Sequence, residues 1–110
     1  METTYTKAAS KSEIAVGSMK AVKMGEKEVL IANVGGMCYA IGNKCTHAGT
    51  ELSKGTLQGN VVECPKHHAK FDITTGKVVA PPKMAFFHPK IGDAPVYQVK
   101  VEGEDILVKA

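Results

Sequence analysis

The sequence predicts an antiparallel all-β domain, and three observations carry that expectation. Short apolar runs recur along the whole chain, each is bounded by glycine, asparagine, aspartate or charged turn residues, and no stretch sustains a 3.6-residue period. Strands this short and closely spaced pair with their sequence neighbours through tight turns, the pattern of a sandwich or barrel. With 110 residues the chain is expected to form one domain spanning residues 1–110, because two would each be too small to bury an adequate core.

The elements follow in order. Residues 1–11 are polar, rich in Thr, Ser, Ala and Lys, and are expected to be a loose lead-in. Ala21-Val22-Lys23-Met24 and Glu28-Val29-Leu30-Ile31-Ala32-Asn33-Val34 flank Gly25-Glu26-Lys27 and read as a hairpin. Gly35-Gly36 turns the chain into Met37-Cys38-Tyr39-Ala40-Ile41; these glycines and Gly17 are read as positions needing permissive backbone angles. Glu51-Leu52-Ser53 starts no more than a single helical turn, and Asn60-Val61-Val62-Glu63 is a short strand. Lys70-Phe71-Asp72-Ile73 and Lys77-Val78-Val79 flank Thr74-Thr75-Gly76 as a second hairpin. Val96-Tyr97-Gln98-Val99-Lys100-Val101 and Asp105-Ile106-Leu107-Val108, joined by Glu102-Gly103-Glu104, form the last.

Composition removes several classes of function. All 14 basic residues are lysines and none is arginine, which argues against nucleic-acid recognition, where the arginine fork reads guanine and grips phosphate. The start lacks an apolar h-region. The longest aliphatic run, Val29-Leu30-Ile31-Ala32, is far below the ~20 residues of a membrane span. The expected location is therefore the cytoplasm, with no membrane partner. Three cysteines cannot all pair with one another, and in a reducing compartment spaced cysteines more often hold metal or do redox chemistry.

Four residues stand apart as candidate metal ligands: Cys45-Thr46-His47 and Cys64-Pro65-Lys66-His67, a C-x-H and a C-x-x-H separated by 16 residues. Each half falls where a loop is expected and offers one thiolate and one imidazole. These soft ligands suit zinc or an iron–sulfur centre rather than calcium or magnesium, which take oxygen. Structural zinc usually uses pairs spaced by two to four residues. One cysteine and one histidine per half instead suits a two-iron cluster in which one iron takes both cysteines and the other both histidines.

At these residues the sequence resembles the Rieske [2Fe–2S] proteins. The resemblance runs through Cys45-Thr46-His47-Ala48-Gly49, Cys64-Pro65-Lys66-His67, Phe71-Asp72, Thr75-Gly76 and Ala80-Pro81-Pro82, and covers about residues 14–109. It implies one [2Fe–2S] cluster per chain, with Cys45 and Cys64 on the buried iron and His47 and His67 on the outer one. It implies a proline loop at Pro81-Pro82 over the cluster, and Ala48, Gly49, His68, Ala69 and Phe71 around the ligands. The implied fold is a Rieske-like antiparallel sandwich or barrel base, built from both chain ends, with a small cluster-binding subdomain inserted at about residues 43–84. The implied function is that of a monomeric ferredoxin, a one-electron carrier between a reductase and a terminal oxygenase and not itself an enzyme. The chain is too short to add a flavin or mononuclear-iron domain.

Departures from the family pattern carry their own expectations. Respiratory relatives bridge the two loops with a disulfide, but the matching positions are Thr50 and Lys66. Those relatives place hydroxyls where Ala69 and Phe71 stand. Hydrogen bonds to sulfur stabilise the reduced cluster, so their loss lowers the potential, toward the ~−150 mV end of the Rieske range. The imidazole ligands' second nitrogens also allow a pH-dependent potential. His68 stands where the family usually has glycine; its chemistry makes it a rival ligand, but C-x-x-H spacing favours His67.

Cys38, in an apolar strand, reads as a buried and inert thiol. His88 reads as a loop residue, with Phe86 and Phe87 packing on the base. From Lys44 to Lys90 the chain carries +4, against −1 for the rest, which fits either a solvated lysine surface or steering toward an acidic redox partner. Two other readings stay open: a zinc module on the same four ligands, and a small Rieske subunit or redox sensor of a larger enzyme such as a nitrite-reductase-like complex.

Overall fold

The computed structural model describes residues 5–44, 50–66, 68–80 and 91–109. Among these described residues, ten strands follow in chain order. They are β1 (Thr6–Ser10), β2 (Met19–Met24), β3 (Lys27–Val34), β4 (Met37–Gly42) and β5 (Thr56–Gln58). After these come β6 (Val61–Glu63), β7 (Lys70–Asp72), β8 (Val78–Ala80), β9 (Val96–Glu102) and β10 (Asp105–Lys109). Every strand pairing is antiparallel, as expected. The six longer strands form one sheet in the order β1-β10-β9-β4-β3-β2, and the four three-residue strands form a second in the order β5-β6-β7-β8. β1 also approaches β2, so the large sheet curls toward a closed barrel. Both chain ends build the base, and the small sheet is inserted between β4 and β9.

β3 holds the two layers together. Val29, Leu30, Ile31 and Ala32 are all fully buried, although a half-buried strand would show one polar face. The explanation is that both faces of β3 are covered. Val29 and Ile31 join Ala9, Ile14, Ala40, Ile106 and Val108 inside the base, whereas Leu30 and Ala32 face Leu52, Val62, Phe71 and Ile73 of the inserted part. Ala40 and Ile41 of β4 divide in the same way. The aliphatic run in the sequence is thus a strand between two cores.

Two expectations need correction, and one strand had no sequence signal. Residues 1–11 are not a loose lead-in throughout, because Thr6–Ser10 is β1, paired with β10. Its composition is a poor strand signal, but it supplies a partner to the β10 edge and buries Ala9, so tertiary pairing overrides local preference. β5 went unrecognised because Thr56–Gln58 contains one apolar residue. Cys38 is half-buried rather than buried, since it lies near the exposed start of β4. What burial it has pushes its thiol pKa up, which keeps the thiolate scarce. The single helical turn falls at Leu52–Lys54, and Gly17, Gly35 and Gly36 all have positive φ.

Candidate metal centre

The second ligand loop opens at the end of β6 and closes at the start of β7, where Glu63 faces Lys70. Across its mouth the Cys64 N–H donates to the Ala69 carbonyl at 2.8 Å, and the His68 N–H donates to the Cys64 carbonyl at 3.1 Å. Cys64 is therefore fixed by its own backbone. Its side chain is 1% exposed and shares an apolar cluster with Leu52, Val62, Ala69 and Phe71. A free thiol held in a dry wall, on a backbone tied at both ends, suits a soft metal ligand. Ala69 and Phe71 are likewise buried beside it, so neither side chain brings a hydroxyl into this wall.

The first ligand loop leaves β4 through Asn43. Lys44 and Glu51 form an antiparallel bridge that closes it, and the turn at Leu52–Lys54 brings the chain back. Cys45, His47, Ala48 and Gly49 lie inside this loop and outside the described residues. The return segment then crosses the second loop at Gly55. A Cβ there would lie 1.8 Å from the Glu63 carbonyl oxygen and 3.2 Å from Pro65 Cδ, so only glycine lets the two ligand loops pass this closely. Lys54, Gly55, Thr56, Pro65 and His68 line a shallow cleft beside Cys64.

His68 has φ +62°, and among the described residues it alone combines a side chain with a left-handed backbone. A residue with a Cβ pays roughly 1–2 kcal/mol in that region, which explains why glycine suits this position. Here the imidazole gains a partner: Nδ1 lies 2.6 Å from Glu63 Oε2, across the loop mouth. Lys70 Nζ approaches the other oxygen of the same carboxylate at 4.0 Å. The ring remains about half exposed and turned toward Glu63.

His67, Pro81 and Pro82 lie outside the described residues, as do Phe86, Phe87, His88 and residue 84, the expected end of the inserted subdomain. The structure does show how the chain enters and leaves the proline segment. The Ala94 N–H donates to the Gly76 carbonyl at 2.7 Å, and the Val78 N–H donates to Asp93 Oδ1 at 2.9 Å. Gly76 has φ +75°, and a Cβ there would meet the Ala94 carbonyl oxygen at 2.3 Å. Residues 91–94 are thus stitched to the β7–β8 hairpin. Of the four candidate ligands, the described residues contain Cys64 alone, and no three His, Cys, Asp or Glu side chains converge among them.

The Rieske [2Fe–2S] domain pattern matches residues 4–98. The chain belongs to the Rieske [2Fe–2S] family. It is 39% identical over 103 residues to the ferredoxin component of biphenyl 2,3-dioxygenase from Rhodococcus jostii (strain RHA1), covering 94% of this chain and 90% of that one. Its fold matches the ferredoxin of carbazole 1,9a-dioxygenase from Nocardioides aromaticivorans IC177 with a TM-score of 0.82 and 31% identity, covering 96% of each chain. A TM-score of 0.82, at 29% identity and covering 96% of this chain and 92% of the other, relates it to a chain in the complex of reduced oxygenase and oxidized ferredoxin in carbazole 1,9a-dioxygenase. This Rieske-type ferredoxin is an electron-transfer protein, not a catalyst on its own. Membership of the family implies a [2Fe–2S] cluster, and the buried Cys64 thiol with its tied loop fits one. No helix among the described residues is long and apolar enough to cross a membrane.

Sequence reasoning missed Asn43, Gly55, Glu63 and Asp93. Local pattern carries no signal for Glu63 or Asp93, which act by contacts across loops. Gly55, three residues after an apolar Leu52 and just before a strand, reads as an ordinary turn glycine. Asn43, two residues before the first ligand, was the one discoverable signal: a polar residue directly following an apolar strand.

Proposed function

We propose that this protein is the one-electron carrier of a multicomponent oxygenase system in the cytoplasm, receiving electrons from a reductase and passing them to a terminal oxygenase. The observation that carries this reading is the pairing of a buried, backbone-tied Cys64 with near full-length similarity to ferredoxin components of such systems. Cys45 and Cys64 hold one iron and His47 and His67 the other. When bound, the cluster supplies reversible one-electron redox capacity. The chain's part is to fix the thiolates in a dry wall, to keep the imidazoles at the surface where a partner docks, and to tune the charge around them. His67 rather than His68 is the ligand in this reading, since the His68 imidazole is engaged by Glu63.

The protein acts as a monomer, and its contact with each partner is small and brief, as redox encounters are. Lys44, Lys54 and Lys66 are exposed on or beside the ligand loops, consistent with steering toward an acidic surface and with an on-rate that falls as salt rises. Ala69 and Phe71, lacking hydroxyls beside Cys64, favour a low potential.

The test is the visible absorption and electron paramagnetic resonance spectrum of purified protein, oxidised and reduced, with iron and acid-labile sulfide counted. Two irons and two sulfides per chain with a histidine-ligated signal are expected, abolished by Cys64→Ser and His67→Ala but retained in His68→Ala. A colourless protein holding one zinc ion and no sulfide would overturn the reading.

A further inference from the structure

Two side chains among the described residues are both buried and polar, Asn33 and Asn43, and they make the same kind of bonds at opposite ends of the β3–β4 pair. Asn33 donates from Nδ2 to the Ile14 carbonyl at 2.9 Å and accepts from the Gly36 N–H at 2.9 Å, holding a turn remote from the site. Asn43 donates from Nδ2 to Glu28 Oε1 at 3.1 Å and accepts at Oδ1 from the Ser53 N–H at 3.0 Å. Its backbone repeats the bridge: its N–H donates to the Glu28 carbonyl at 3.0 Å, and its carbonyl accepts from the Leu52 N–H at 2.6 Å. One fully buried residue thus joins the base strand β3 to both leading amides of the turn at Leu52–Lys54.

Those amides need an outside acceptor. The first N–H groups of a helical turn have no partner within it, and Glu51, the residue preceding this turn, provides no side-chain cap. Asn43 caps the turn from across the loop instead. Because Lys44 and Glu51 pair immediately beyond it, Asn43 fixes both ends of the segment that carries Cys45 and His47. A ligand set works only when its loops hold it to about 0.5 Å.

We propose that Asn43 is the positioning residue of the first ligand loop, clamping the loop to Glu28 of the base so that the cluster is retained. This rests on the functional reading above. The Asn43 carboxamide is required for its two ends. Asn43→Asp keeps an acceptor for Ser53 but turns a second carboxylate oxygen toward Glu28, replacing attraction by repulsion. Glu28→Gln restores a donor opposite that carboxylate.

The experiment follows bleaching of the visible absorption in excess iron chelator, well below the unfolding temperature, with far-ultraviolet circular dichroism alongside. Losses of metal affinity on removing such supporting contacts run about tenfold or more. Asn43→Asp is therefore expected to bleach about tenfold faster with an unchanged dichroism spectrum, and Asn43→Asp/Glu28→Gln to recover most of that loss. Asn33→Ala, the matched control, is expected to lower the unfolding temperature and leave bleaching within about twofold of wild type. Bleaching of Asn43→Asp within about twofold of wild type, failure of the double variant to recover, or equal acceleration in Asn33→Ala overturns the proposal. Hydrogen exchange at the Leu52 and Ser53 amides gives a reading independent of the cluster. Faster exchange in Asn43→Asp supports the clamp and unchanged exchange overturns it, whereas a wild type that binds no iron defeats the functional reading instead.

Discussion

The base sheet and the inserted sheet are built on different terms. Base strands run five to eight residues and enclose a core drawn from their own side chains, Ala9, Val29, Ile31, Ala40, Ile106 and Val108, with Ile14 added from the β1–β2 connection. The inserted strands are three residues each, and their core borrows Leu30, Ala32 and Ile41 from the base. Four such short strands could not hold a fixed shape alone. The inserted part takes its rigidity from the sheet beneath it. In the proposed reading, stability resides mainly in the base and redox tuning in the inserted part.

The largest expected effect tests the division of the core. Leu30→Ala and Ile31→Ala remove neighbouring side chains of one strand, each fully buried, and each is expected to cost about 2–5 kcal/mol. Their consequences should part by sheet. Leu30→Ala should raise hydrogen exchange in β6 and β7 first, and Ile31→Ala in β1 and β10. Identical exchange patterns in the two variants would break the comparison.

Next in size is the potential. Ala69→Ser/Phe71→Tyr places hydroxyls in the wall around Cys64, where hydrogen bonds to sulfur stabilise the reduced state. Redox titration should give a clear upward shift from a wild-type value toward the ~−150 mV end of the Rieske range, whereas Ile31→Val in the base should leave the potential unmoved. A high wild-type potential, or no shift in the double variant, would remove the link between this wall and the tuning.

The smallest effect concerns acid. Asp72, in the β7–β8 hairpin, has its carboxyl held below the ordinary range, first by the Thr74 hydroxyl at 2.6 Å and, after the opposing effect of burial, by the Thr74 N–H at 2.9 Å. A depressed folded-state pKa means that its stabilisation is complete above the unfolded value of about 3.9 and is lost as pH falls through the lower folded value. Thr74→Val should therefore lower stability at neutral pH slightly and flatten the acid limb below about pH 4. Unfolding curves at pH 6 and pH 3 check this; an unchanged difference between them would exclude Asp72 from the acid response.

Much of the fold was legible because strand and turn chemistry is local. The hairpins around Gly25, Gly35-Gly36, Gly76 and Gly103 follow from glycine between apolar runs, and all five glycines have positive φ. β1 was not legible, since nothing in Thr6–Ser10 favours a strand until the β10 edge is present. The ligand pattern was legible because two cysteine–histidine pairs in separate loops are rare without a metal. The supports of the Cys64 loop were not: the His68–Glu63 contact joins residues five apart that share no motif, and the clearance at Gly55 depends on a carbonyl eight residues on.

By itself the sequence determined the class of fold and the chemistry on offer, because residue type, period and spacing act over a few residues. It determined an antiparallel domain, a Rieske-like ligand pattern at Cys45, His47, Cys64 and His67, and the absence of hydroxyls at Ala69 and Phe71. The tertiary structure alone decided that β3 serves two cores, that the two ligand loops cross at Gly55, and that Asn43 ties one of them to Glu28. These depend on residues meeting across sheets and loops, where packing and hydrogen-bond satisfaction act through space rather than along the chain.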